Sequence, residues 1–148
     1  MHTKVSEVLK TKGSEIWSVH PDATVFEGLA FMAEKNIGAL IVMENGELAG
    51  IFSERDYARK VILKGKSSKE TPIRELMTTK LFTVKPSDSM QNCMQLMTDK
   101  HIRHLPVLHE TRVLGVLSIG DVVKRVIADL QYTVTDLENY ITNGSYTA

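Results

Sequence analysis

Residues 50–56, GIFSERD, and residues 115–121, GVLSIGD, share one pattern: glycine, two apolar residues, serine, two variable residues and aspartate. The two copies lie 65 positions apart, and their similarity extends at this offset without a gap from position 16 to position 62. The identical pairs are Val19/Val84, Pro21/Pro86, Met32/Met97, Lys35/Lys100, Ile37/Ile102, Leu40/Leu105, Val42/Val107, Gly50/Gly115, Ser53/Ser118, Asp56/Asp121, Val61/Val126 and Ile62/Ile127. Ordinary residue frequencies would give roughly three identities. The chain is therefore a tandem duplication.

Composition and charge are those of an ordinary globular protein. The 148 residues are 43% hydrophobic and 24% charged, and 18 basic residues balance 18 acidic ones. A net charge of zero gives no overall field that would attract nucleic acid or an anionic membrane. The longest apolar run, residues 39–43, is too short to span a bilayer, and the N-terminus has no apolar stretch of signal-peptide length. We expect a cytoplasmic protein that binds neither nucleic acid nor membranes.

Each repeat shows the same order of predicted elements, β-α-β-β-α. A short extended stretch, residues 16–19 or 81–84, runs into a proline, and Thr24 or Ser89 then supplies the N-cap of an amphipathic helix. Two apolar runs separated by a turn predict a hairpin, most clearly around the Asn-Gly pair at residues 45–46. A second helix follows each hairpin. Its predicted buried face consists of Tyr57, Ala58, Val61 and Ile62 in the first copy and Val122, Val123, Val126 and Ile127 in the second.

The duplication predicts how the chain is organised. A unit of about 60 residues buries too small a fraction of its surface to be stable with ease on its own. We therefore expect an α/β (α+β) protein in which two repeats pack with pseudo-twofold symmetry and leave clefts along the seam. The first repeat is placed at residues 5–65, the second at 66–130, and a partly helical C-terminal tail at 131–148.

The repeated Ser-x-x-Asp has a local explanation. Ser53 and Ser118 stand where helix N-caps should stand, and their hydroxyls can accept from backbone N–H groups. Asp56 and Asp121 would complete an acidic capping box at the positive end of the helix dipole. The local pattern alone leaves both capping and ligand binding open.

The wider pattern resembles a known family. The segments AGIFSERDYARKV and LGVLSIGDVVKRV, together with NIGALIVM and HIRHLPVL, are similar to the strand–strand–helix half of the cystathionine-β-synthase (CBS) domain. Such domains occur as tandem pairs, called Bateman modules, and the resemblance covers roughly residues 5–130. It implies a regulatory module that binds an adenosine-containing ligand such as AMP, ATP, NAD(H) or S-adenosylmethionine. In the family, the motif Asp bonds the ribose hydroxyls, and the Ser or Thr before it bonds ribose or phosphate.

The resemblance also implies two clefts, each taking its Ser and Asp from one repeat and its adenine wall from the other. Arg103 and His104 replace Gly38 and Ala39 in the second copy, and with Arg55 they are the phosphate-binding candidates. The cleft containing Asp121 combines Ser118, Asp121 and Val116 with Ile16, Ile37, Gly38 and Ala39. The cleft containing Asp56 combines Ser53, Asp56, Arg55 and Ile51 with Leu81, Ile102, Arg103 and His104. We call them the Asp121 cleft and the Asp56 cleft.

Catalytic and metal-binding patterns are not found. GKS at residues 65–67 lacks the glycine of a phosphate loop, because that position is Lys60. His101, His104 and His109 have no partners at metal-ligand spacing, and no nucleophile and base can be assembled. The single Cys93 predicts a buried core thiol. The expectation is therefore no catalytic residue, no metal and no required cofactor, with an adenine nucleotide as regulatory ligand.

The sequence says less about protein partners than about ligands. We expect a homodimer through helices that carry extra apolar side chains, and a regulated protein that the residues do not identify. The apolar side chains are Phe26, Phe31 and Tyr57. Three alternatives stay open: an enzyme acting on a nucleotide, a purely structural interaction module with empty clefts, and a nucleic-acid-binding module. The last would use Lys60, Lys64, Lys66 and Lys69.

Overall fold

The structure, a computed structural model, describes residues 3–13 and 15–144. The first half contains α1 (Val5–Lys12), β1 (Ser18–Val19), α2 (Val25–Lys35), β2 (Ala39–Glu44), β3 (Glu47–Ser53) and α3 (Glu54–Asp56), which continues as a π-helix (Tyr57–Ile62). The second half contains a 3-10 helix (Ile73–Glu75), α4 (Met90–Lys100), β4 (His104–His109), β5 (Arg112–Ser118) and α5 (Ile119–Asn139), followed by a π-helix (Tyr140–Gly144). The predicted α+β fold class is confirmed.

Both repeats are built around the predicted hairpin. In the first, β2 pairs antiparallel with β3, and Asn45 and Gly46 at the turn both have positive φ angles, as an Asn-Gly hairpin turn requires. In the second, β4 pairs antiparallel with β5. The preceding extended stretches are shorter than predicted: β1 is two residues long and parallel to β2, and residues 81–84 contribute a single parallel bridge at Val84.

The predicted N-caps of the first helix in each repeat are confirmed. The Thr24 hydroxyl accepts from the N–H of Glu27 at 3.1 Å, and the Glu27 carboxylate accepts from the N–H of Thr24, which completes a capping box. The Ser89 hydroxyl accepts from the N–H of Asn92, also at 3.1 Å. These caps fix where α2 and α4 begin and therefore which of their faces meets the sheet.

Each repeat has its own core, but each core includes a segment from the other half of the sequence. Val5 at the start of α1 packs in the second core, and its N–H donates to the carbonyl of Asp88 at 2.9 Å. Ile73 packs in the first core, and its N–H donates to the carbonyl of Ala23 at 2.8 Å. The boundary at residues 65/66 stays a prediction about the sequence. In space, α1 packs in the second core and the segment around Ile73 packs in the first.

The helices that follow the hairpins bury fewer residues than predicted. Ile62 is exposed because residues 57–62 are wound as a π-helix, whose i→i+5 hydrogen bonds rotate the side chains away from a 3.6-residue pattern. In α5, Val122 is fully buried, but Val123 and Ile127 are exposed. The sequence predicts one buried stripe on α5, but the helix has two apolar faces. One packs against the core, and the other is exposed to solvent.

The second half of α5 extends beyond the packed repeats. Every residue from 134 to 143 is exposed. The predicted tail is helical to Gly144, and its last residues, 145–148, lie outside the described part of the chain. None of the described helices is long and apolar enough to cross a membrane.

Cys93 is fully buried, as the sequence predicts. Burial, reinforced by the charge of Asp88, raises the pKa of its thiol to about 11. Because the thiolate is the reactive form, this cysteine is a packing residue of the second core.

Candidate functional site

Two clefts lie where the repeats meet. The Asp56 cleft has a volume of about 1270 Å³, and the Asp121 cleft has a volume of about 320 Å³. The first is lined by all eight residues assigned to it: Ser53, Asp56, Arg55, Ile51, Leu81, Ile102, Arg103 and His104. The second is lined by Ser118, Val116, Ile16, Ile37, Gly38 and Ala39. The structure thus brings together the whole of the first predicted set and, except for Asp121, the second, while their part in binding stays a prediction.

Both Ser-x-x-Asp motifs form the capping box that their sequence predicts. The N–H of Ser53 donates to Asp56 Oδ2 at 3.0 Å, and the N–H of Asp56 donates to Ser53 Oγ at 3.2 Å. Ser118 and Asp121 repeat this arrangement at 2.9 and 3.2 Å. The caps hold each carboxylate at the end of a strand and the start of a helix. Asp56 lines its cleft, and Asp121 contacts Ser118 and Lys12, which line the other.

The motif glycines allow a neighbouring segment to approach the hairpins closely. A Cβ atom at Gly50 would lie 2.8 Å from the carbonyl oxygen of Thr78 and 3.0 Å from the sulfur of Met77. A Cβ atom at Gly115 would lie 2.8 Å from a methyl group of Leu9. Each glycine therefore makes room for the segment that also carries residues into the cleft.

Asp56 is buried and has polar partners on both carboxylate oxygens. The hydroxyl of Thr78 donates to Oδ1 at 3.2 Å, and Lys60 Nζ lies 3.1 Å from the same oxygen. Lys60 also donates to the carbonyl of Leu76 at 3.1 Å. This carboxylate is thus oriented by its surroundings, and Lys60, one helical turn away, balances its charge.

Asp121 meets a different cation. Lys12, at the end of α1, donates to Asp121 Oδ2 at 2.6 Å and to the carbonyl of Val116 at 2.7 Å. Burial raises the pKa of Asp121, but the hydrogen bonds from Lys12 and from the Ser118 N–H together lower it by more. The carboxyl therefore stays ionised at pH values below those at which an aspartate usually becomes protonated. The Lys12 side chain therefore closes off the polar end of the Asp121 cleft.

Lys12 has a counterpart in the second repeat. Residues 5–12, VSEVLKTK, align with residues 73–80, IRELMTTK, so that Lys12 corresponds to Lys80. Lys80 lines the Asp56 cleft, but no ion pair joins it to Asp56 in the described part of the chain. The equivalent lysines thus differ: Lys12 is paired with the motif carboxylate, whereas Lys80 lines its cleft without an ion pair to Asp56 among the described residues.

The Asp56 cleft is strongly basic. Its lining includes two carboxylates, from Glu54 and Asp56, and six lysine and arginine side chains. The six are Arg55, Arg59, Lys60, Lys80, Lys100 and Arg103. Arg55, in the first repeat, is held against the second repeat, because its guanidinium donates to the carbonyl of His101 at 3.0 Å. The excess of positive charge makes this cleft suitable for an anion with several charges.

Sequence reasoning found Arg55 and Arg103 but missed the other basic residues of this cleft. As a possible binding residue, Lys60 was named only in the nucleic-acid-binding alternative, although it stands four residues after Asp56, at ion-pair spacing. Lys80 could have been found by aligning residues 5–12 with residues 73–80, which precede the gapless stretches and match at an offset of 68 rather than 65. The signal for Lys60 lay within the gapless repeat, and the signal for Lys80 lay outside it.

His104 lies between the two clefts and lines both, as does Gly38. Burial lowers the pKa of His104 most, and the charge of Lys12 lowers it further; Asp121 raises it by less than Lys12 lowers it, and Arg103 adds a still smaller lowering effect. The imidazole is therefore neutral at neutral pH and offers a hydrogen bond rather than a charge. No group of three or more His, Cys, Asp or Glu side chains suited to a metal ion occurs among the described residues.

The fold and the site define a class of protein. It is a duplicated α/β module with clefts between its repeats, in which each repeat contributes a capped Ser-x-x-Asp motif. The CBS domain model matches residues 5–63 and 73–128, and the chain belongs to the CBS-domain family. CBS domains are in general regulatory, ligand-binding modules.

Relatives support this assignment over most of the chain. The mitochondrial CBS domain-containing protein CBSX3 of Arabidopsis thaliana is 43% identical over 152 residues, covering 96% of this chain and 73% of that protein. The solved structure of a protein with CBS domains from Burkholderia ambifaria MC40-6 is 48% identical, with a TM-score of 0.82 over 86% of this chain and 96% of that one. The crystal structure of the CBS domain NE2398 is 42% identical, with a TM-score of 0.83 over 86% and 99%. These relatives are CBS-domain proteins, and none of them is described as an enzyme.

Proposed function

We propose that this protein is a regulatory sensor that binds a phosphorylated adenosine nucleotide in the Asp56 cleft. One observation carries the proposal: the motif carboxylate, an apolar wall and an excess of basic side chains share one large opening between the repeats. The volume of about 1270 Å³ exceeds what a nucleotide needs, since ligand pockets usually measure about 300–1,000 Å³.

The lining suggests how the parts of a nucleotide would be arranged. Asp56 would accept from the ribose hydroxyls, since a carboxylate can take two donors from a cis-diol. Leu81 and Ile102, both partly buried, would flank the base. Arg55 and Arg103 would bond phosphate, which a guanidinium can do in a bidentate manner. AMP, ATP or NAD(H) fits this charge better than S-adenosylmethionine, whose sulfonium is positive.

The two clefts are proposed to differ in occupancy. Lys12 holds Asp121 and the Val116 carbonyl, and the remaining volume of about 320 Å³ is at the lower limit for a ligand pocket. We therefore propose one nucleotide per chain, in the Asp56 cleft.

Binding would be converted into a signal by a shift in population. The proposed ligand touches the first repeat at Asp56 and the second at Ile102 and Arg103. A ligand that bridges both repeats favours the arrangement in which they are closed, by its difference in affinity for the two states. The regulated protein is not identified, and the expected cytoplasmic location stays a prediction, since the Arabidopsis relative is described as mitochondrial.

The test is isothermal titration calorimetry with AMP, ATP, NAD+, NADH and S-adenosylmethionine. We expect Asp56→Ala to weaken nucleotide binding at least tenfold, whereas the matched variant Asp121→Ala binds as the wild type does. Arg103→Ala should weaken ATP binding more than adenosine binding. Unchanged binding in Asp56→Ala would overturn the proposal, provided that its melting curve shows a folded protein.

One observation favours a second candidate, a structural interaction module with empty clefts. Both motif carboxylates already have partners within the protein, Thr78 and Lys60 on Asp56 and Lys12 on Asp121. A thermal-shift screen separates the candidates, because a saturating ligand must raise the melting temperature. If no adenosine compound raises it at millimolar concentration, the structural role is the better account.

A further inference from the structure

The open face of α5 carries a regular apolar stripe. Its residues follow one another at spacings of four, three, four and three: Val123, Ile127, Leu130, Val134 and Leu137. Their exposed fractions are 41, 49, 50, 53 and 56%. This spacing averages 3.5 residues, the repeat that keeps an apolar stripe on one side of a helix that winds around another. We call this stripe the α5 seam.

The α5 seam is distinct from the face that packs on the repeats. Val122, next to the first seam residue, is fully buried in the second core. On the same side as the core, Thr3 donates to Asp129 Oδ2 at 2.7 Å, and Arg125 Nε lies 3.4 Å from Asp129 Oδ1. These contacts fix the rotation of α5 about its axis, so the seam points away from the repeats.

The projecting half of α5 needs support that the described chain does not provide. Residues 134–143 are all exposed. A helix of this length is marginal in water when it stands alone, because tertiary packing of an apolar face normally supplies most of its stability. The apolar seam therefore calls for an apolar partner of similar length, about 22 Å for the 15 residues from 123 to 137.

The composition of the seam selects the partner. Ile127 and Val134, which are β-branched, alternate with Leu130 and Leu137, and this combination at the two seam positions favours two strands in parallel coiled coils. A second copy presents the same stripe, so the surface is self-complementary about a twofold axis. A membrane surface fits less well, because residues 131–143 contain two acidic side chains and no lysine or arginine.

We propose that two copies of this chain dimerise through the α5 seam as a short parallel coiled coil. This surface differs from the one expected around Phe26, Phe31 and Tyr57, and it lies outside both clefts. The dimer therefore does not depend on nucleotide binding, and its existence can be tested without any ligand.

The experiment measures the mass of the full chain by sedimentation velocity over a range of concentrations, without nucleotide. The variant Val134→Asp/Leu137→Asp places two charges in the seam, and Thr135→Asp/Asn139→Asp places the same charges on the opposite side of the same exposed segment. We expect dimers for the wild type and for the Thr135/Asn139 control, and at least a hundredfold weaker dimerisation for the seam variant. A monomeric wild type, or a seam variant with the mass of the wild type, would overturn the proposal.

Two further measurements keep the result unambiguous. The substituted side chains are outside both cores, so the seam variant should still fold, and its thermal denaturation should still show a cooperative transition. A parallel pairing sets Leu137 against Leu137 of the second copy, and Leu137→Cys should therefore form a disulfide-linked dimer on mild oxidation. The buried Cys93 does not compete. Failure of Leu137→Cys to cross-link would overturn the parallel arrangement.

Discussion

Asp56 and Asp121 occupy equivalent positions, and the cations beside them make the two clefts different. Asp56 is paired with Lys60, which lies on the next turn of the same helix and is attached to the first repeat. Asp121 is paired with Lys12, which comes from α1, 109 positions away in the sequence. Lys12 also holds a backbone carbonyl of the cleft wall. Lys60 is also held at a second point, the carbonyl of Leu76, but Leu76 does not line the Asp56 cleft, whereas Val116 lines the Asp121 cleft. Of the two lysines, only Lys12 therefore bonds a backbone carbonyl of its cleft wall.

Removing Lys12 should open the Asp121 cleft. In Lys12→Ala, Asp121 keeps its capping bonds to Ser118 but loses the cation that occupies its cleft side. We expect calorimetry with the best nucleotide to give two sites per chain, in place of the one expected for the wild type. Lys10→Ala, an exposed lysine of the same helix, is the control and should retain one site. If Lys12→Ala still binds a single nucleotide, Lys12 is not what keeps this cleft empty.

At this scale the sequence could predict which residues share a cleft but not which of them pair. The resemblance to the CBS family, carried over through the repeat, was sufficient to place Ser53, Asp56 and Arg103 in one cleft. The contact of Lys12 with Asp121 depends on α1 crossing to the other repeat, and nothing local in the sequence of α1 indicates where it packs. The basic lining of the Asp56 cleft was underestimated for the same reason, since Lys80 is delivered by the crossing segment of the other half.

The elements follow the sequence closely where local chemistry decides them. Capping boxes and the Asn-Gly turn act within a few residues, and they were predicted correctly. The buried faces of the helices after the hairpins were predicted less well, since the π-helical winding of residues 57–62 and the two faces of α5 depend on long-range packing. Val123 and Ile127 were assigned to the core because the sequence pattern shows that a face is apolar but not what covers it.

The motif glycines give a prediction at the scale of the elements. Gly50→Ala should destabilise the protein more than Gly115→Ala, although the two residues are equivalent in the repeat. At Gly50 the new methyl group meets a backbone carbonyl of the crossing segment, whereas at Gly115 it meets the end of a flexible leucine side chain. We expect about 2–3 kcal/mol for Gly50→Ala and about 1 kcal/mol for Gly115→Ala, within the usual range for overpacking.

Urea denaturation followed by circular dichroism measures both glycine variants on the same scale. Gly46→Ala is a useful reference, because its Cβ meets no atom within 4 Å and its cost comes only from the positive φ angle. Equal losses in Gly50→Ala and Gly115→Ala would show that the backbone contact at Gly50 yields as easily as a side chain does.

At the scale of the whole molecule, the exchanged segments tie the two repeats together. Val5 completes the core of the second repeat, and Ile73 completes the core of the first. Neither repeat can therefore unfold without pulling a buried segment out of the other. Such an arrangement also suits a sensor whose ligand bridges both halves, since a change in one repeat is transmitted through packed side chains to the other.

This exchange predicts that the molecule unfolds as one unit. The test places a destabilising substitution in the core of one repeat and follows unfolding with a probe in the other. Val5→Ala removes buried methyl groups from the second core and should cost about 2 kcal/mol. The single tryptophan, Trp17, packs against the first core. If the repeats unfold together, Trp17 fluorescence and far-ultraviolet circular dichroism give coincident curves, and both midpoints fall by about 4–8 °C in Val5→Ala. Thr135→Ala, at an exposed position outside the α5 seam, should leave both midpoints unchanged. A Trp17 midpoint that stays at the wild-type value in Val5→Ala, while the dichroism splits into two steps, would mean that the repeats unfold separately despite the exchange.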